Sequence, residues 1–172
     1  MSASQRYIRI DKNHGFKIRE FESADLEKVV YINRVSLPEN YSLRFFMEHH
    51  EKWPKAFLVA EVDGEVVGYV MCRVELGWGY CKPGLTRKGH VVSIAVLEGY
   101  RRRGIGKALM EEALKALSKY YKASEVYLEV RVSNYPAISL YEKLGFMKKR
   151  ILKGYYLDGE DAYVMARPLP LE

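Results

Sequence analysis

The chain has 172 residues, 48% of them apolar and 29% charged, which suits one folded domain and excludes a disordered or fibrous chain. Its 28 Lys and Arg against 22 Asp and Glu leave a net charge of +6, which favours anionic partners without choosing among phosphate, nucleic acid and ribosome. No apolar run approaches the roughly 18 residues of a membrane span, and the start MSASQRYIRIDKNHG lacks the apolar core of a secretory signal, so a cytoplasmic protein with reduced thiols is expected, a Cys72–Cys81 disulfide being left open.

In chain order, MSASQRYIRIDKN reads as a loose or strand-like leader. Phe16–Glu22 (FKIREFE) alternates apolar and polar residues, the period of a strand. Ser23 is placed to cap a helix over ADLEKVVYINRVSL, with Leu26, Val29, Val30 and Val35 as apolar positions, and Pro38 ends it by disfavouring helical geometry at Leu37. SLRFFMEHHEKW follows as a second short helix. AFLVAEV and EVVGYVMCRVE flank Asp63-Gly64, the signature of a tight hairpin. The glycine-containing stretch from Leu76 to Gly89 is expected to be a long exposed connection, and HVVSIAVL a buried strand. GIGKALMEEALKALSKYY is an amphipathic helix, with Ile105, Leu109, Ala113 and Leu117 on one face. EVYLEVRV is a strand, YPAISLYEKLGF a short helix ended by Gly145, and KKRILKGYY with DAYVMARPL a closing strand pair around LDGE. Helices alternate with strands in the second half, which requires a crossover between parallel strands. The expected class is α+β or α/β, a mixed sheet with helices on both faces.

YRRRGIGKAL sits between a strand and a helix, and this context puts Gly104 and Gly106 in the first helical turn. Free N–H groups and the positive dipole end there make an anion site, glycine admits a pyrophosphate close to the backbone, and Arg101, Arg102, Arg103 and Lys107 add charge-assisted bonds. A Walker loop is excluded, because Ala108 follows Lys107 where Ser or Thr is needed, and a dinucleotide fingerprint is excluded by Leu109 at its third glycine. The spacing that fits is Arg101-x-x-Gly104-x-Gly106.

That spacing resembles the acyl-CoA pyrophosphate loop of the GNAT N-acetyltransferase superfamily, which would occupy Arg101–Ala108 with Ile105 in its turn. VSNYPAISLYEKLGF resembles that family's Asn-to-Tyr segment, which implies that Asn134 and Tyr141 face the cofactor, and that the backbone of Ile94, Ala95 and Val96 pairs with the pantetheine arm. LPENY, YLEVRVSN and GYYLDGEDAYVM together resemble N-terminal α-amino acetyltransferases, the archaeal ones especially. The resemblance runs from Phe16 to Leu169, so a leader over residues 1–15 and a single GNAT domain over residues 16–169 are expected.

It implies transfer of acetyl from acetyl-CoA to the α-amine of protein N-termini, with Ser, Ala and Thr starts and some Met starts, by direct attack in a ternary complex. An α-amine has a pKa near about 7.7–8.0 against about 10.4 for lysine, so it deprotonates at about 3.5 kcal/mol less cost and a weak base through one water suffices. Glu39, His90 and Glu129 are the candidates for that base, expected to act as a coupled set; the solvated-carboxylate, strand-edge-histidine and salt-bridged-face readings stand beside them. Tyr141 would hydrogen-bond the CoA sulfur, and Ile94–Val96 N–H groups would stabilise the oxyanion. Leu37, Pro38, Glu39 and Tyr41 on one side and Tyr155 and Tyr156 on the other would hold the peptide. No metal is expected, since adjacent His49 and His50 cannot share a helix face. Expected partners are protein N-termini and the ribosome, not DNA or membrane, with an auxiliary subunit left open. Lysine or small-amine acetylation and an inactive RNA-binding module are the competing readings. Ser2, exposed on loss of Met1, is itself expected to be acetylated.

Overall fold

The computed structural model describes residues 6–171. Ser2 lies outside them. The elements are β1 (Tyr7–Asp11), β2 (Phe16–Glu20), α1 (Leu26–Ser36), α2 (Leu43–Lys52), β3 (Phe57–Val62), β4 (Glu65–Trp78), β5 (Leu85–Val96), α3 (Ile105–Tyr121), β6 (Glu125–Arg131), α4 (Tyr135–Lys143), β7 (Met147–Leu152) and β8 (Ala162–Pro168). The eight strands are ordered β1-β2-β3-β4-β5-β6-β8-β7. β5 and β6 run parallel, joined through α3 as the expected crossover, while β1–β2, β2–β3, β3–β4, β6–β8 and β7–β8 are antiparallel. The mixed sheet read from the sequence is therefore present. No helix among the described residues is long and apolar enough to cross a membrane.

Two compact units are distinguished, one from Met1–Arg73 with Val92–Ala116, the other from Val74–Val91 with Leu117–Glu172. In the first, Phe21, Val29, Ile32, Phe46, Phe57, Tyr69 and Met71 form the core. Each fully buried apolar side chain contributes about 1.5–3 kcal/mol. Asp63 (φ +50) and Gly64 (φ +78) make the expected tight β3–β4 turn, since two left-handed central residues match the twist of the flanking strands. The leader contributes β1, paired with β2 from Tyr7↔Arg19 to Asp11↔Phe16.

Two local expectations are corrected here. Ser23 does not cap α1: Ser23–Asp25 form a 3-10 turn and the helix starts at Leu26. The cause is Asp25, whose carboxylate accepts from the Glu22 N–H (2.8 Å) and is gripped by buried Arg19 at 2.7 and 2.9 Å. Arg19 also reaches Glu61 at 3.2 Å, and removing one member of so buried a set costs about 3–5 kcal/mol. Val35 faces solvent, while Ile32 and Asn33 take the buried positions.

In the second unit, Tyr127, Val164 and Ala166 pack with Tyr80, Cys81 and Leu152. The Leu76–Gly89 stretch is mostly strand, because β4 runs to Trp78 and β5 starts at Leu85. Buried Glu125 accepts the N–H groups of Tyr80 (2.5 Å) and Cys81 (2.9 Å), and Lys88 donates to the Trp78 carbonyl (3.0 Å), which fixes the short turn. Cys72 and Cys81 are both free thiols.

Candidate active site

In the first unit, β5 leads into the basic loop. Arg102 (φ +64) and Gly104 (φ +81) are left-handed, which turns the chain sharply into α3. Gly104 thus precedes the helix instead of lying in its first turn; Gly106 is inside it. The first helical bond runs from Ala108 N–H to Gly104 O at 3.0 Å, so the N–H groups of Ile105, Gly106 and Lys107 lie ahead of the ladder. Arg101 braces the loop by donating to Val96 O at 2.9 Å, and Arg103 lies over the Tyr100 ring at 5.2 Å. Arg101, Arg102, Arg103 and Lys107 are all exposed. Cations at a helix N-terminus oppose the macrodipole, a cost that an anion seated there would offset. Upstream, Ile94 and Val96 are half-buried and Ala95 buried. A Cβ at Gly68 would meet Ala95 O at 3.1 Å, so glycine relieves crowding where β4 approaches this segment.

The Leu37–Tyr41 stretch is held from beneath by Asn33, a residue the sequence reading did not single out. Buried Asn33 donates from Nδ2 to Glu39 O (3.0 Å) and Tyr69 Oη (3.1 Å), and its Oδ1 accepts from Tyr41 N–H (3.3 Å). Tyr69 Oη continues to Ser93 Oγ at 2.7 Å. Asn40 donates to Leu37 O (2.8 Å), and Tyr41 stacks on Phe45 at 4.6 Å. Pro38 is exposed, and Leu37 and Glu39 are half-buried.

The second unit brings His90 and Glu129 together. The β5–β6 ladder consists of Lys88↔Glu125, Gly89↔Val126 and His90↔Tyr127, which sets His90 beside the Tyr127–Glu129 stretch. His90 Nε2 lies 2.7 Å from Glu129 Oε2, and the His90 ring stacks on Tyr127 with centroids 4.2 Å apart at 7°. Glu75 of β4, which the sequence reading missed, faces the other nitrogen: His90 Nδ1 is 3.5 Å from Glu75 Oε2, an electrostatic contact longer than a well-formed hydrogen bond. The Tyr127 hydroxyl donates to Glu75 Oε1. Glu39 belongs to the first unit, so of the three candidate bases only His90 and Glu129 meet within one unit.

On α4, Asn134 is the N-cap, its Oδ1 accepting from Ala137 N–H at 3.3 Å, which leaves the amide NH2 as a donor. Tyr141 is buried one face in from the helix end, where Gly145 (φ +89) stops the helix as expected. Tyr155 and Tyr156 meet edge to face at 5.0 Å in the β7–β8 connection. Arg131 organises that connection: its guanidinium lies 4.0 Å over the Tyr156 ring and pairs with Asp158 (2.9 Å) and Glu160 (3.0 Å).

The acetyltransferase (GNAT) family model matches residues 20–146. The chain belongs to the acetyltransferase (GNAT) family. It is 57% identical over 161 residues to an N-alpha-acetyltransferase of Saccharolobus solfataricus, covering 92% of this chain and 96% of that one. Ard1 from Thermoplasma volcanium matches with a TM-score of 0.78 at 35% identity, covering 91% and 99% of the two chains. NAA60 of Arabidopsis thaliana, solved in complex with acetyl-CoA, matches with a TM-score of 0.77 at 28% identity over 90% and 99%. The chain is an acetyl-CoA-dependent N-α-acetyltransferase that acetylates protein N-termini.

Electrostatics bear on what this acetyltransferase can do. Burial disfavours charge on His90, but the hydrogen bond to Glu129 and the proximity of Glu75 outweigh it, and its pKa is raised. Burial, helped by Glu75, pushes the Tyr127 phenol up, so it stays a donor. Burial alone pushes Tyr141 to about 12. A thiol titrates near about 8.5. Tyr141 is therefore suited to hydrogen-bond a thiolate and poorly suited to surrender its proton to one.

Proposed function

We propose that the enzyme acetylates the α-amines of chains beginning with Ser, Ala or Thr, and of some beginning with Met, by direct attack of the amine on acetyl-CoA in a ternary complex. The observation that carries this is the His90–Glu129 pair at 2.7 Å, a weak, buried proton acceptor of the strength an α-amine requires. His90 and Glu129 take the proton through a water, and Glu39 holds the incoming ammonium or that water. The loop Arg101–Ala108 takes the pyrophosphate, Ile94–Val96 the pantetheine arm and the oxyanion, and Asn134 the cofactor's polar groups. Tyr141 donates a hydrogen bond to the sulfur as the C–S bond breaks. Leu37, Pro38, Tyr41, Tyr155 and Tyr156 receive the peptide. The chemistry needs no metal. The reading assigns catalysis to residues 16–169 of a cytoplasmic enzyme, whose +6 charge suits docking at the ribosome.

The test is acetylation of matched peptides beginning with Ser, Ala, Met-Leu and Met-Glu, beside an α-blocked peptide carrying lysine. Transfer to the free α-amines with the Ser and Ala starts preferred is expected. Preference for the blocked peptide would overturn it in favour of lysine chemistry. Glu39→Ala and His90→Ala, run in parallel, should each lower kcat without abolishing it.

A further inference from the structure

We propose that Glu75 is a positioning residue for His90: held by the Tyr127 hydroxyl, its carboxylate faces Nδ1 while Glu129 holds Nε2, fixing the ring as a bridge between two carboxylates. The proposal rests on His90 belonging to the proton-transfer machinery and assigns the part that orients and charges it.

Three observations converge. The ring plane is set by the parallel stack on Tyr127, 4.2 Å away. That same Tyr127 donates its hydroxyl to Glu75, so one residue fixes both the ring and the carboxylate facing it. The ring is also bounded on both edges, by Glu129 Oε2 at 2.7 Å and Glu75 Oε2 at 3.5 Å.

Ionised carboxylates only accept hydrogen bonds, and a neutral imidazole donates from one nitrogen alone. With a carboxylate at each edge, a neutral ring would point a lone pair at one of them. Only the imidazolium could donate to both, so a carboxylate at each edge favours the protonated ring over the neutral one. Nδ1 is buried and makes no hydrogen bond of good geometry in the resting structure, so the Glu75 contact acts mainly through charge. The cations nearest this cluster are Lys88 of β5, whose ammonium lies 5.0 Å from the Tyr127 ring centre, and Arg150 of β7, which acts on neighbouring Tyr80. The Tyr80 and Tyr127 phenols stay neutral because burial raises both.

In turnover the substrate ammonium loses one proton, through water, to the neutral ring, which returns to imidazolium. Glu75 thereby sets the pH at which the acceptor becomes available. The charge lost in Glu75→Gln should move that pH down.

The experiment is an NMR titration of the His90 ring in the full chain, wild type and Glu75→Gln, with the pH profile of kcat/KM measured beside it. The His90 midpoint in Glu75→Gln should fall, with the acid limb of kcat/KM displaced in the same direction, and Glu75→Asp should restore much of both. Tyr127→Phe changes no charge and keeps the stack, and should give a smaller displacement of the same sign, so the question is answered even if Glu75→Gln does not fold. Coincident His90 midpoints in wild type and these variants would overturn the proposal. A displaced midpoint with an unmoved acid limb would uphold the hold of Glu75 on His90 and overturn the catalytic reading of His90.

Discussion

Asn33→Ala tests whether the Leu37–Tyr41 stretch, proposed to receive the peptide, owes its shape to one buried amide. The substitution removes three hydrogen bonds, to Glu39 O, Tyr69 Oη and Tyr41 N–H, at 3.0, 3.1 and 3.3 Å. Each is worth about 0.5–1.5 kcal/mol net. Tyr69 keeps its bond to Ser93, and the Glu39 and Tyr41 backbone groups regain water in part, so the lower and middle of that range apply. The expected loss is about 1.5–3 kcal/mol, or a melting temperature lower by roughly 3–12 °C in a chain of this size. The effect is not purely global, because the Leu37–Tyr41 stretch loses its anchor. KM for peptide should rise about tenfold, equivalent to about 1.4 kcal/mol, while KM for acetyl-CoA stays within about twofold. Chemical denaturation and steady-state kinetics with each substrate varied give both quantities. A stability loss under about 1 kcal/mol together with an unchanged peptide KM would refute the reasoning.

Three further predictions concern other parts of the molecule. Tyr141→Phe keeps the packing and removes the hydroxyl; a donor held near a pKa of about 12 stabilises the leaving thiolate by a hydrogen bond, so kcat should fall about tenfold, and a loss beyond about a thousandfold would indicate full proton transfer instead. Gly104→Ala meets no atom within 4 Å but must adopt φ +81, so denaturation should show a loss of about 1–2 kcal/mol and kinetics a raised KM for acetyl-CoA. His90 has its folded pKa raised above the unfolded value near about 6.5, so its protonation contributes stability that is complete below that value and is lost as pH rises through the folded pKa. The stability advantage of wild type over His90→Gln, followed by urea titration from acid to alkaline pH, should accordingly shrink as pH rises.

What the sequence revealed was what neighbours in the chain determine. The Asp63-Gly64 turn, the apolar face of α3 and the stop at Gly145 follow from backbone preference and periodicity, and each stands where expected. The basic loop was legible because the glycines, arginines and helix start are contiguous, although the helix begins one residue after Gly104. Through-space partnerships were not legible. Asn33 reads as one more polar residue of an amphipathic helix until its bonds to Glu39, Tyr41 and Tyr69 are seen. Glu75 reads as the end of a strand until Tyr127, 52 positions later, is found to hold it. The glycines and Pro83 between Leu76 and Gly89 suggest a loop; Glu125, from outside that window, and Lys88, bonding back to Trp78 within it, fix a short turn and leave most of the stretch as strand. Ser23 loses the capping position to Asp25 because Arg19, on the preceding strand, holds the carboxylate in place.

The β4–β5 hairpin also equips the molecule with its own optical label. Of its two tryptophans, Trp78 stands at the end of β4 with 71% of its surface exposed, in the second unit, while Trp53 caps α2 in the first. Replacing one indole at a time with phenylalanine leaves a single emitter on a chosen half. Quenching by iodide would then report the hairpin end through Trp78, and the end of α2 through Trp53, with no dye attached.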